Sequence, residues 1–406
     1  MQEHPSIRQT NSTMRNIAFL SFFVSLFFSC SEQSSTETET AKYNQKYSFQ
    51  VVDTLYIDFM GDLRLMEVNE ESGRMLGING TNGEIVELNI DGSLIGTYDR
   101  KEGPNGYGRF IEKIGFFGSD KRVLETPTHI LIYDSDWNII EKIENQSEAQ
   151  FYVINMAKQA AQIVEWEGSS HLILNTNDSD YRKYEKSEEP FYRFKLLNLE
   201  TGEKVGAFPL ASDDPYLQIP DLNLTELKPQ FQWSKNRVYI KMPLSNEIEI
   251  WEKAGGEYTL KKFTPSLENM DLPPAIPSQR VASNEDFWLS FKNGLKNGSF
   301  TFGSYPMAID GEEVVFISYR TPLSSVLIDE LKDNDFEAYS RLSKMVNAYH
   351  FPIVNGEVGY PELEFSAIGP KYRIGDQQFI LKMSLEDFDE EPDMIPYLKY
   401  ELVKEL

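Results

Sequence analysis

The chain is poor in the residues from which most catalytic and metal centres are built. Among 406 residues there is one cysteine, Cys30, so no internal disulfide, thiolate zinc site or CxxC redox pair can form. There are four histidines, His4, His129, His171 and His350. They stand far apart and none belongs to an HExxH element, so no histidine-based metal site is expected. Positive charge is also scarce. Lys and Arg number 39 against 64 Asp and Glu, giving a net charge of −25, or −26 once residues 1–29 are set aside. A body this acidic repels phosphate backbones, which excludes nucleic acid as a partner. Long apolar runs are lacking too. The single candidate, Ile17–Phe28, holds 12 residues and is too short to span a bilayer as a helix.

That run follows Arg15 and precedes Ser29-Cys30, and it reads as the core of a signal peptide covering residues 1–29, with Met14 as a candidate start. A lone cysteine at the end of an apolar core, followed by the polar stretch SEQSSTETET, resembles a bacterial lipoprotein signal. Phe27 and Phe28 replace the usual Leu and small residue, as in the relaxed signals of Bacteroidota lipoproteins. The resemblance implies lipidation of Cys30, a flexible tether over residues 30–45, and a place in the cell envelope at the outer membrane.

What the chain has in quantity is aromatic side chains, 26 Phe and 21 Tyr, which suit pleated, half-buried surfaces. It also has a repeat. Leu88 to Ile95 (LNIDGSLI) and Tyr133 to Ile140 (YDSDWNII) show strand, Asp turn and strand in step, 45 residues apart. Further copies run from Phe191 to Phe208, turning at Thr201-Gly202, and from Glu247 to Phe263, turning at Gly255-Gly256. Alternating apolar residues around such turns mark hairpins with one buried face. Two shorter strand candidates precede each later copy: Phe110–Phe117 with Arg122–Glu125, Gln162–Trp166 with His171–Asn175, and Gln230–Trp233 with Arg237–Lys241.

Four strands per unit predict an all-β fold, a six-bladed β-propeller over residues 46–406, with seven blades as the runner-up. A fifth blade is expected from near Gly298 through Glu313–Tyr319. The strand Tyr47–Ile57 is expected to complete the last blade beside Gln377–Met383 and Tyr397–Val403, since a ring must close without edges. The proline-bearing stretch 264–282 reads as a long loop. Apolar residues at spacings of three and four from Phe336 to Tyr349 predict a decorating helix near 334–347, capped by Asp333 or Asn334.

The hairpin DGSLIGTYDRKEGPNGYGRF, with its glycine-rich link, resembles the six-bladed, NHL-like propeller lipoproteins of Bacteroidota. The ending DFDEEPDMIPYLKYELVKEL resembles that of an envelope lipoprotein family of unknown function from the same bacteria. The resemblance implies a propeller on a lipid anchor and supplies no catalytic residues.

The glycines of Gly103–Gly108 lack the Lys-Ser/Thr and following helix of a phosphate loop and are read as a blade-to-blade link. No GxSxG element stands in a suitable order with Asp and His. Asp178 and Asp180, and the acids Glu386, Asp387, Asp389, Glu390 and Glu391, lack the ligand order of a calcium loop and are read as solvated. The candidate binding set is aromatic and arginine residues in expected loops: Tyr107, Arg109, Tyr181, Arg182, Trp288, Tyr319 and Arg320. Such side chains offer contact area at low entropic cost. The sequence therefore points to a monomeric binding module for a protein or glycan, with no cofactor, no metal and no catalytic set. The alternative is an envelope carbohydrate hydrolase or lyase with its site at the channel mouth.

Overall fold

The computed structural model describes residues 46–405, without 100, 109, 146–158, 175–189, 211–213, 215–228, 243–244, 246, 264–287, 290–291, 294, 297–298, 303–305, 333–334, 344, 346–347, 359–371, 384–387 and 389–392. The signal peptide, Cys30, the tether, the proline-bearing loop and the acid-rich loops named above lie outside this set.

The repeated Asp turn shows how the local chemistry works. Asp91 Oδ1 accepts from the Ser93 backbone N–H at 3.0 Å and from Ser93 Oγ at 2.6 Å. These bonds fold the side chain over its own turn and hold its carboxyl below the usual carboxylate range. Gly92 sits at φ +89°, and a Cβ there would stand 2.3 Å from the Tyr56 carbonyl, so only glycine fits. The second turn repeats the device: Asp134 Oδ1 accepts from the N–H groups of Asp136 and Asn138 at 2.9 and 2.8 Å.

Six small antiparallel sheets form the blades of a β-propeller. Blade I is the meander β2 (Leu63–Asn69), β3 (Arg74–Asn79), β4 (Ile85–Asn89) and β5 (Leu94–Tyr98). Blade II holds β6 (Lys113–Phe117), β7 (Lys121–Glu125), β8 (His129–Tyr133) and β9 (Ile139–Glu144). A short strand β10 (Gln159–Ala160) adds to it in parallel beside β6. Blade III is β11 (Ile163–Trp166), β12 (Ser169–Leu174), β13 (Tyr192–Asn198) and β14 (Lys204–Pro209), and blade IV is β15 (Gln230–Trp233), β16 (Arg237–Lys241), β17 (Ile248–Ala254) and β18 (Glu257–Phe263). Blade V contains β19 (Ser299–Phe302), β20 (Met307–Ile309), β21 (Glu312–Arg320), β22 (Ala348–Val354) and β23 (Glu357–Val358). Blade VI is β24 (Tyr372–Gly375), β25 (Gln378–Lys382) and β26 (Ile395–Lys404), completed by β1 (Tyr47–Ile57).

The closure is as expected. β1 pairs antiparallel with β26 from Tyr47↔Lys404 to Ile57↔Ile395, so the earliest strand of the ring is hydrogen-bonded to the last. Helix α1 (Ser325–Asp329) and helix α2 (Phe336–Ser343) sit between β21 and β22. α2 realises the expected decorating helix, but its cap is Asp335, whose Oδ1 accepts from the Ala338 N–H at 2.9 Å; Asp333 and Asn334 lie outside the described residues. Ile328, Leu331, Leu342 and Leu295 make a small core of their own beneath the helices.

The main core is divided among the seams between blades. Seam I/II buries Leu76, Ile78, Ile85, Ile114, Leu124, Tyr133 and Trp137, and seam IV/V buries Tyr239, Ile250, Val315, Ile317, Tyr319 and Phe351. The other four seams have comparable clusters. Each blade is therefore apolar on both faces, which explains the near-continuous apolar runs in middle strands such as β8 and β21.

Candidate functional site

The innermost strands of the blades gather about the ring axis: β2 lies against both β6 and β24, and β15 against β19. Two of the inner strands are irregular. β2 slips register against β3 between Leu65 and Glu67, and β24 slips against β25 between Arg373 and Gly375. Bulges of this kind re-aim side chains and are frequent beside functional sites. β10 comes in beside β6 and against β2, and the Ala161 N–H donates to the Ile114 carbonyl at 2.8 Å.

Glu67 lies at the meeting point of β2, β6 and the end of β10. Its Oε2 accepts from the Phe116 backbone N–H at 2.8 Å. Gly115, one residue earlier, lets the carboxyl pack directly against the backbone: a Cβ there would fall 2.5 Å from Glu67 Oε2 and 2.8 Å from the Ala161 carbonyl oxygen, too close for any side chain. Glu67 keeps partial solvent access although it is densely surrounded. Desolvation is the largest influence on its carboxyl and pushes the pKa up to about 8, with the Phe116 bond pulling the other way. It is therefore a neutral acid at pH 7.

The interior carboxylates at the seams behave differently, because each meets a cation. Glu87 takes Arg122 and Arg74, the latter at 2.9 Å, and also accepts from Trp137 Nε1 at 3.0 Å. Glu125 takes Lys113 at 2.9 Å, and Glu249 takes Arg193 at 2.8 Å. Nearer the surface, Glu70 takes Arg373 at 2.7 Å and Glu312 takes Lys404 at 2.8 Å. Among the described residues no ion pair reaches Glu67.

The expected binding residues are scattered. Tyr107 is buried in seam I/II, its hydroxyl donating to the Gly83 carbonyl at 3.2 Å and its pKa pushed up to about 12 by burial. Tyr319 is buried in seam IV/V, with the partly buried Arg320 beside it at the end of β21. Trp288 is buried against Phe336 of α2, ring centroids 4.9 Å apart. Their rings contribute to packing, and Tyr107 and Tyr319 lie in different seams. Arg109, Tyr181 and Arg182 lie outside the described residues. The 103–108 link is closed by its own bonds, Gly106 N–H to Gly103 and Gly108 N–H to Lys101, both 3.1 Å.

Ser318 Oγ and His350 Nδ1 stand 2.6 Å apart across the β21–β22 pair, but both side chains are buried within blade V. A nucleophile needs access, so this pair is part of the packing. Sequence reasoning missed Glu67. Strict alternation along LRLMEVN would set it on the face of Leu63 and Leu65, and the slip after Leu65 turns it to the other face, opposite Leu76 and toward β6.

No protein-family model and no curated protein matches the chain. Among solved structures it is similar to a member of the DUF4221 family from Bacteroides vulgatus, at 12% identity and a TM-score of 0.55, over 89% of this chain and 100% of that one. It also matches a Bacteroides fragilis protein named as exported, at 14% identity and a TM-score of 0.48, over 91% of this chain and 98% of that one. At 12% identity the first likeness bears on architecture alone, and the architecture it shares with this chain is the β-propeller.

Proposed function

We propose that the chain is a lipid-anchored binding module of the cell envelope, held by Cys30 at the outer membrane and taking a protein or glycan ligand at one end of its axis. The observation that carries this reading is the ring of inner strands around Glu67, a carboxyl that no ion pair reaches among the described residues. Propellers present loops and inner strands around one axis, and ligands settle there. The ring closes through β1 and β26, and the module is read as acting as a monomer.

Two measurements test the reading. Cells fed labelled fatty acid should label the wild-type protein and not the Cys30→Ala variant; label retained in the variant overturns the anchor. Detergent-solubilised full chain screened against glycans and envelope proteins should show saturable thermal shifts without turnover.

A second reading, a carbohydrate hydrolase or lyase, is favoured by one feature. An acid that holds its proton up to about pH 8 is suited to protonate a leaving group. A glycosidase needs a second carboxylate opposite it. Turnover of a glycan hit would decide for this reading.

A further inference from the structure

We propose that the turn between β22 and β23, Asn355 followed by Gly356, is a site of spontaneous modification, where the chain itself converts Asn355 to aspartate and isoaspartate.

Asparagine precedes glycine at Asn79, Asn82, Asn105, Asn293, Asn297 and Asn355. Glycine has no Cβ to shield its nitrogen or restrict its backbone, so in such a pair the nitrogen can reach the side-chain amide before it. The fold then sorts the pairs. The Gly80 N–H donates to the Asp62 carbonyl at 2.6 Å, the Gly83 N–H to the Asn79 carbonyl at 2.7 Å, and the Gly106 N–H to the Gly103 carbonyl at 3.1 Å. Each of those bonds has to break before its nitrogen can attack. The Asn105 side chain is tied down as well, donating to Asn138 Oδ1 at 3.0 Å and accepting from the Ile139 N–H at 3.2 Å. Gly356 differs. It holds the second place of a two-residue turn, with φ +51° at Asn355 and +86° at Gly356, closed by the pair Val354↔Glu357. Its own N–H makes no backbone bond among the described residues. Gly294 and Gly298 lie outside that set.

Three further features favour reaction at Asn355. The residue is exposed. Its Oδ1 accepts from the Glu313 backbone N–H at 3.2 Å, a donor aimed at the oxygen on which charge builds during attack at Cγ. The outer strand β23 has two residues, paired as Ile353↔Val358 and Val354↔Glu357, so the hairpin opens at little cost and the Gly356 nitrogen can swing onto Cγ. That nitrogen loses its proton to solvent and forms the bond to Cγ. The Cγ–Nδ2 bond breaks, and ammonia leaves with a proton from solvent. Water then opens the five-membered imide at one carbonyl to give aspartate, or at the other to give isoaspartate, whose backbone runs through the side-chain methylene. The new charge and spacing fall on the clamp to Glu313, whose carbonyl accepts the Asn355 N–H at 2.9 Å and whose carboxylate takes Tyr239 across seam IV/V.

The test incubates the full chain in detergent at pH 8.5 and follows the amide-to-acid mass shift at each asparagine by tandem mass spectrometry. A parallel sample in urea supplies the rates of the unfolded chain, where the Asn-Gly pairs should react alike. In the native protein Asn355 should react about two- to tenfold faster than Asn79, Asn82 and Asn105, the factor that one retained backbone hydrogen bond imposes on each of those three. Gly356→Asp sets a side chain beside the attacking nitrogen. Asp accepts positive φ better than most residues, and the nearest atoms to the new Cβ, Arg237 Nε and Ile250 Cδ1, stand at 3.8 Å, so the turn has room for it. This variant should slow the shift at residue 355 several-fold. Native Asn355 reacting no faster than the three bonded pairs, or reacting at the wild-type rate in Gly356→Asp, overturns the assignment.

Discussion

At the scale of single residues, the interior charges decide most of what can be predicted. Glu67 has a folded pKa near 8 against an ordinary 4.5. Between those values the folded state holds a proton that the unfolded chain has lost, so stability must fall as pH rises from about 4.5 to 8 and then level off. The isosteric Glu67→Gln removes that loss. Its melting temperature should exceed wild type by several degrees at pH 8.5 and match it near pH 4.5, as read by differential scanning calorimetry. Arg122 shows the opposite logic. It is fully buried on Glu87, which Arg74 and Trp137 also reach. Arg122→Ala takes one of two cations from a buried carboxylate and should cost about 1.5–3 kcal/mol in denaturant unfolding. Arg122→Ala combined with Glu87→Ala should recover part of that loss.

At the scale of elements, the hairpins and the closing strand were legible in the sequence, whereas the axial site was not. The Asp-Gly turn at 91–92, the alternation of Val86, Leu88 and Ile90, and the four-strand spacing all reflect local rules of turn chemistry and pleat. They reappear as β4–β5, β8–β9, β13–β14 and β17–β18. β1 was placed by closure alone, and its ladder with β26 follows. Glu67 depends on a slip between β2 and β3, on a glycine in the neighbouring blade and on the end of β10, three features that no local window of sequence holds together. The aromatic candidates failed to converge for a related reason. A ring in a short strand and a ring in a loop look alike in sequence, and Tyr107 and Tyr319 belong to the seams. Trp137 adds a case of its own: it takes φ +62° with its ring fully buried, so packing outweighs a backbone preference of about 1–2 kcal/mol. Removing β1, residues 47–57, would expose β26 as an open edge and strip Tyr47 and Phe49 from seam V/VI. Such a truncation should be recovered mainly as aggregate by size-exclusion chromatography.

At the scale of the whole ring, each seam joins a neutral cluster to a polar crossing. Glu87–Arg122 crosses I/II, the Lys113 bond to Ile173 crosses II/III, and Arg193–Glu249 crosses III/IV. Tyr239 to Glu313 at 2.7 Å crosses IV/V, Lys404–Glu312 crosses V/VI, and Arg373–Glu70 closes VI/I. With β1 tying the last blade to the start of the chain, no blade can leave without breaking two seams. Unfolding should therefore be a single transition, with tryptophan fluorescence and far-UV circular dichroism coinciding, and Ile250→Ala in one seam should move both together by about 2–5 kcal/mol. A ring stiff on all sides can hold Glu67, an acid that no ion pair reaches among the described residues, and that acid is the centre of the functional account. The direct measurement is the carboxyl carbon resonance of Glu67 followed by NMR as a function of pH, assigned with Glu67→Gln. A midpoint near 8 is the predicted result. A midpoint near 4.5, the value of an ordinary solvated glutamate, would contradict it.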